Sequence, residues 1–125
     1  MICIEFAASQ RKAIDKPIID LFSIQNKITE IAIAKENTQL LYEEAAKLKF
    51  QGKPYNKVAT MAKSYGSRAA FIACDHALQV LGGYGYSKEY PVEHLLRDAR
   101  ALQIAEGSLE KMVIEIASAI QKERA

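Results

Sequence analysis

Apolar residues recur at three- and four-residue intervals along most of the chain, a spacing that predicts helices rather than strands. Leu21, Ile24, Ile28, Ile31, then Leu41, Ala45 and Leu48 share one stripe apart from polar Lys35 and Thr38, so a long helix is expected from a cap at Asp20 to about Phe50. Gly52 and Pro54 interrupt it. Asn56 is the expected cap of the next helix, which carries Val58, Met61, Ala62, Tyr65, Ala69, Ile72, Ala73 and Leu78 and ends at Gly82 or Gly83. A short helix around Val92 to Leu102 follows, then a last one opening at Ser108 with Leu109, Met112, Val113, Ile116 and Ile120 on one side. Upstream, Ile2 to Ile14 reads as short and partly helical, and Pro17 biases its predecessor away from helix, which puts a turn at Asp15 and Lys16. Nothing sustains period-two alternation. Long helices joined by short loops predict an all-α, up-and-down four-helix bundle made by residues 1–125 as a single domain. The helix bearing Ala59, Ala62, Gly66, Ala69, Ala70 and Ala73 is expected to lie centrally, where bulk is not tolerated.

Composition narrows the partners. A net charge of +2 with scattered lysines is too mild for a nucleic-acid or anionic-membrane surface. No window approaches the ~20 apolar residues a bilayer span requires, and the N-terminus lacks a basic start followed by an apolar run. Cys3 and Cys74 sit in no paired motif, so no disulfide framework is expected and a reducing cytoplasm is the expected setting. Cys74, Asp75 and His76 are adjacent on a helix and point to different faces, so no metal site is expected there.

The segment from Gln79 to Glu110 is the most informative. Gly82, Gly83 and Gly85 fall within four positions after a helical run, where the backbone either turns sharply as a helix C-cap or lies against something bulky, such as a ligand. Glu106 and Gly107 break the apolar pattern just before the last helix. An acid there either partners the helix dipole or is aimed as a base into a water-poor pocket. Arg11 reads as a surface charge or as a guanidinium fork suited to a pyrophosphate. Tyr84, Tyr86 and Tyr90 form an aromatic wall or half-buried packing. Arg97 and Asp98 read as ion-paired or capping groups.

In order and spacing, Gln10-Arg11-Lys12, Lys16-Pro17, Gln51-Gly52-Lys53-Pro54-Tyr55, Gln79 with Gly82, Gly83 and Gly85, then Tyr86, Glu89, Arg97-Asp98-Ala99 and Glu106-Gly107 resemble the C-terminal helical domain of the flavin-dependent acyl-CoA dehydrogenases. The resemblance runs through the whole chain. It implies that Glu106 removes the α-proton of an acyl-CoA while FAD takes a hydride from the β-carbon, giving a trans-2-enoyl-CoA. It further implies that Arg11, Gln79, Gly82 and Gly83 meet the adenine-dinucleotide end of FAD, one bound mainly by the neighbouring subunit. Ser108 and Glu110 would stand near the flavin, and Gly107 beside the substrate. An electron-transfer partner and a homo-oligomer, dimer or tetramer, are implied as well.

The chain departs from the family pattern at Ile14, Asp15, Phe22, His94 and Ala105, where phenylalanine, glycine, glutamine, a lysine or arginine, and tyrosine are usual. The family's N-terminal helical and middle β domains are absent from these residues, so the chain alone is expected to be inactive. A non-catalytic helical remnant kept for oligomerisation or partner binding is the alternative.

Overall fold

The computed structural model describes residues 2–124. Helix α1, Ile2–Glu5, runs into a π-helical turn, Phe6–Gln10, closed by the Arg11 N–H donating to the Phe6 carbonyl at 3.1 Å. Two-residue strands follow, β1 at Lys12–Ala13 and β2 at Lys16–Pro17, paired antiparallel with Lys12 opposite Pro17. The turn between them is Ile14 and Asp15, both left-handed at φ 53° and 61°, rather than Asp15 and Lys16. Such a two-residue hairpin leaves too short a run for alternation to register in sequence.

A 3-10 turn, Ile18–Asp20, leads to α2, Phe22–Phe50. Next come α3, Asn56–Leu81, the single turn α4, Gly83–Tyr86, then α5, Val92–Ala101, and α6, Leu109–Lys122. Two expected caps fail. Asp20 is taken up in the 3-10 turn, so Leu21 becomes the residue before α2, and Asn56 already lies inside α3 behind Tyr55; neither helix start has a side-chain cap. Ser108 does cap α6, its hydroxyl accepting the Lys111 N–H at 3.4 Å.

Helix α3 is the central member of the bundle, as its small residues predict. At 3.6 residues per turn, Ala59, Ala62, Gly66, Ala69 and Ala73 fall on one face, and they line grooves shared with α2. Lys57, Thr60 and Ser67 fall on the opposite face, where they meet Glu123 at 2.6 Å, Glu115 at 3.4 Å and Gln103 at 3.3 Å. Thr38, set apart in sequence as polar, lies on the contact stripe. Its hydroxyl donates to the Ala34 carbonyl, and its methyl fills the space over Gly66, where a Cβ would come within 2.9 Å. Glycine at position 66 therefore sets how closely α2 approaches.

The core gathers at the C-terminal end of α3. Cys3, Phe6, Ala7, Ile18, Ile24, Val80, Leu81 and Val92 are buried together there, drawn from α1, the π turn, the 3-10 turn, α2, α3 and α5. Val80 and Leu81 are fully enclosed, and each such side chain contributes about 1.5–3 kcal/mol. Farther along, α2 packs on α3 but leaves Ile33, Leu40, Tyr42 and Phe50 exposed. No helix among the described residues is long and apolar enough to cross a membrane.

Candidate active site

Two groups of residues emerge, one at each bend that follows a helix. The first is built on Arg11. The π turn delivers Arg11 in extended backbone, φ −111° and ψ 126°, beside the last turn of α3. There its Nη1 donates to the Val80 carbonyl at 2.8 Å and, more weakly, to the Gln79 carbonyl at 3.5 Å. The last carbonyls of a helix lack intrahelical partners and carry partial negative charge, so a guanidinium is a fitting cap. Gly82 ends α3 at φ 63° and ψ −134°, which a residue with a Cβ rarely adopts.

Arg11 separates two hollows. One, of about 540 Å³, is lined by Lys12, Lys27, His76 and Gln79 with Asp75 as its carboxylate. The other, of about 460 Å³, is lined by Phe6, Gln10, Gly83, Tyr84, Ser87 and Glu89. Phe6, Tyr84 and Tyr90 meet edge to face with centroids 5.5–6.1 Å apart, a favoured aromatic geometry. Tyr86 stays outside this trio, exposed. Phe6 is the aromatic that sequence reasoning missed, although Cys3, Phe6 and Ala7 carry the helical spacing that would have marked it.

The second group surrounds Glu106. After α5 the chain turns through Leu102 to Ala105, and Glu106 and Gly107 then take φ 58° and 112°, reversing direction into α6. A left-handed glutamate is uncommon, and such strain concentrates at functional sites. Glu106 itself is exposed. Glu110, in the first turn of α6, is held below the usual carboxylate range by its own backbone amide and by the Ser108 hydroxyl. Gln103 ties the loop down: its amide donates to the Ser67 carbonyl, and its oxygen accepts from Arg100. The sequence reading passed over this glutamine, which is buried between exposed Leu102 and Ile104.

The structure thus brings Arg11, Gln79, Gly82 and Gly83 together, and Glu106, Gly107, Ser108 and Glu110 together, but not the two groups with each other. The Gln103 anchor lies at Ser67 and the Arg11 anchor at Val80, which places the groups roughly 20 Å apart along α3 at helical rise. Elsewhere, Arg97 pairs with Glu93 at 3.2 Å, and the Asp98 carbonyl accepts from Leu102 at the end of α5. His94 is exposed. His76 meets Glu30 across the α2–α3 contact, and burial pushes the Cys74 thiol up. Among the described residues no three His, Cys, Asp or Glu side chains are grouped to hold a metal.

The donors at the Arg11 corner fit the anionic end of a dinucleotide. Both of the arginine's hydrogen bonds use Nη1, which leaves the Nε–Nη2 edge of the fork for a pyrophosphate, with Lys12 and Lys27 on the same hollow. Two of the departures are outward-facing: Ile14 is 96% exposed at the hairpin tip and Phe22 81% exposed at the start of α2.

Comparison with known proteins bears on this arrangement. The profile of the acyl-CoA dehydrogenase C-terminal domain matches residues 3–121. The short-chain specific acyl-CoA dehydrogenase of Bos taurus mitochondria is 41% identical over 120 residues, covering 96% of this chain and 29% of that protein. An acyl-CoA dehydrogenase of Bacillus subtilis is 44% identical over 103 residues, covering 82% of this chain and 27% of that protein. In structure, the butyryl-CoA dehydrogenase of Megasphaera elsdenii superposes with a TM-score of 0.91 at 35% identity, over 95% of this chain and 31% of that one. The chain therefore spans about three tenths of the length of these relatives. With the family profile spanning residues 3–121 and the fold superposing along nearly the whole chain, the chain belongs to the acyl-CoA dehydrogenase family, as its C-terminal domain.

Proposed function

We propose that residues 1–125 act as the base-carrying helical domain of an FAD-dependent acyl-CoA dehydrogenase that oxidises acyl-CoA to trans-2-enoyl-CoA. The observation that carries this reading is the strained backbone at Glu106, φ 58°, followed by Gly107 at φ 112° and a capped helix start. A chain that only needed to enter α6 would place glycine or asparagine at such a position. A glutamate kept there is explained by use of its carboxylate.

In this reading Glu106 accepts the α-proton on a carboxylate oxygen, and Gly107 lets the thioester approach the backbone. FAD, when bound, supplies the acceptor for the β-hydride. Arg11 neutralises the pyrophosphate from the far corner while Gln79 and Gly83 border the dinucleotide, and Ser108 and Glu110 stand near the flavin. The separation of the two groups along α3 is then accounted for by a homo-oligomer, dimer or tetramer, in which the corner of one copy serves the site of its neighbour. An electron-transfer partner would accept the electrons that leave with the hydride, and the enzyme works in the cytoplasm.

Taken alone, the chain is expected to be inert. Glu106 is exposed, and the water around it is not excluded as removal of a proton from a weak carbon acid requires. That same exposure favours a second reading, a helical remnant retained for oligomerisation or partner binding. A visible spectrum with and without FAD, together with turnover of butyryl- and octanoyl-CoA with an artificial acceptor, tests the proposal. Colourless, inactive residues 1–125 that gain both properties when the family's N-terminal helical and middle β domains are supplied support it. Activity in that mixture that survives Glu106→Gln contradicts it.

A further inference from the structure

The glycine bend and Arg11 are mechanically one unit. A Cβ at Gly82 would lie 2.8 Å from the Arg11 Nη1, 3.1 Å from Cζ and 3.2 Å from Nη2. At Gly83 a Cβ would meet nothing within 4 Å. Gly82 is thus the glycine whose missing side chain is occupied, and its occupant is the guanidinium. The Val80 carbonyl fixes the same group from the other end of Nη1, 2.8 Å away, and Val80 itself is fully buried. Arg11 is also tied through its backbone: its N–H to Phe6 and its carbonyl to the Ile18 N–H, at 3.1 and 3.0 Å. Both ends of this side chain are therefore held by buried structure.

We propose that Gly82 and the Val80 carbonyl are positioning groups that act through Arg11. They hold its Nη1 so that the Nε–Nη2 edge is presented, already oriented, to a diphosphate, and Gly82 itself makes no contact with that ligand. An arginine fixed in this way has less side-chain freedom to lose on binding, which is where the gain in affinity arises. The proposal rests on reading Arg11 as a diphosphate contact, and its test separates the two.

Arginine side-chain NMR of the unliganded chain examines the positioning without any ligand. The Arg11 guanidinium is expected to show restricted rotation and distinct Nη signals, unlike that of exposed Arg124. An Arg11 as freely rotating as Arg124 overturns the proposal, and this readout requires no variant to fold. A double-mutant cycle follows, with ADP as the probe. Arg11→Ala and Gly82→Ala are each expected to weaken ADP binding by about tenfold, with no further loss when combined, and Gly82→Ala is expected to release the restricted Arg11 signals. Additive losses, or an Arg11 signal unmoved by Gly82→Ala, contradict the proposal. Failure of the unsubstituted chain to bind ADP, with Arg11 still restricted, overturns the ligand reading alone.

Discussion

At the Arg11 corner, α1, the π turn, the 3-10 turn, α2 and α5 all press on the last turn of α3, whereas the Glu106 loop is tied to α3 by the amide of Gln103. Both places are bends with left-handed residues. At the corner the left-handed residue is a glycine beside the buried cluster of Val80 and Leu81; at the loop Leu102, Ile104 and Glu106 stand exposed. The contrast teaches how differently two bends can be held: the corner is framed by buried residues from six elements, and the loop is held by the Gln103 amide.

The largest effects should separate the two regions by stability. Leu81→Ala, at a fully enclosed position, is expected to cost about 2–5 kcal/mol. Ile104→Ala, at a residue 64% exposed, should cost less than about 0.5 kcal/mol. Urea unfolding midpoints at unchanged slope measure both, and equal costs would erase the contrast. Gln103→Ala comes next. It removes the buried amide that adds a second hydrogen bond to the Ser67 carbonyl, so about 0.5–1.5 kcal/mol is expected, with the first turn of α6 losing hydrogen-exchange protection ahead of α3.

Smaller effects sharpen the picture. Ile14 is β-branched, left-handed and almost wholly exposed, so Ile14→Asn gives up little packing and should raise stability by about 1 kcal/mol. A drop in the melting temperature would mean that Ile14 has a contact in solution. The pH response is the mildest. Hydrogen bonds from His76 and Asn26 lower the Glu30 carboxyl. Its contribution is therefore complete above the ordinary glutamate range, near pH ~4.3, and is lost as pH falls through the lower folded value. Glu30→Gln should flatten that acid limb in a stability profile. At the loop, Ser108→Ala removes the second cause of the low Glu110 value, so a carboxyl NMR titration should show Glu110 moving up.

The helices were legible in the sequence because each buries part of a stripe at helical spacing: Ile24 and Ala45 on α2, Ala69 on α3 and Met112 on α6 are buried as that spacing requires, whereas buried Ser67 lies on the opposite face of α3. The failures share one physical cause, competition from neighbouring structure. Asp20 is a good capping residue, yet the 3-10 turn that buries Ile18 claims it. Thr38 looks polar, but a helix with glycine opposite accepts its methyl group. Of the site, Glu106, the glycine bend and Arg11 stood out by residue type and spacing. Their partition into two groups did not, because Gln103 and Val80 act through an amide and a backbone carbonyl that no pattern announces.

The most direct test of Glu106 as the base places this domain inside walls that close over it. Residues 3–121, grafted in place of the matching domain of the Megasphaera elsdenii butyryl-CoA dehydrogenase, should give a yellow protein whose flavin is bleached by butyryl-CoA. Glu106→Gln in that graft should keep the flavin absorbance and slow bleaching by about 10²–10⁴-fold. Bleaching at the unsubstituted rate would contradict the account.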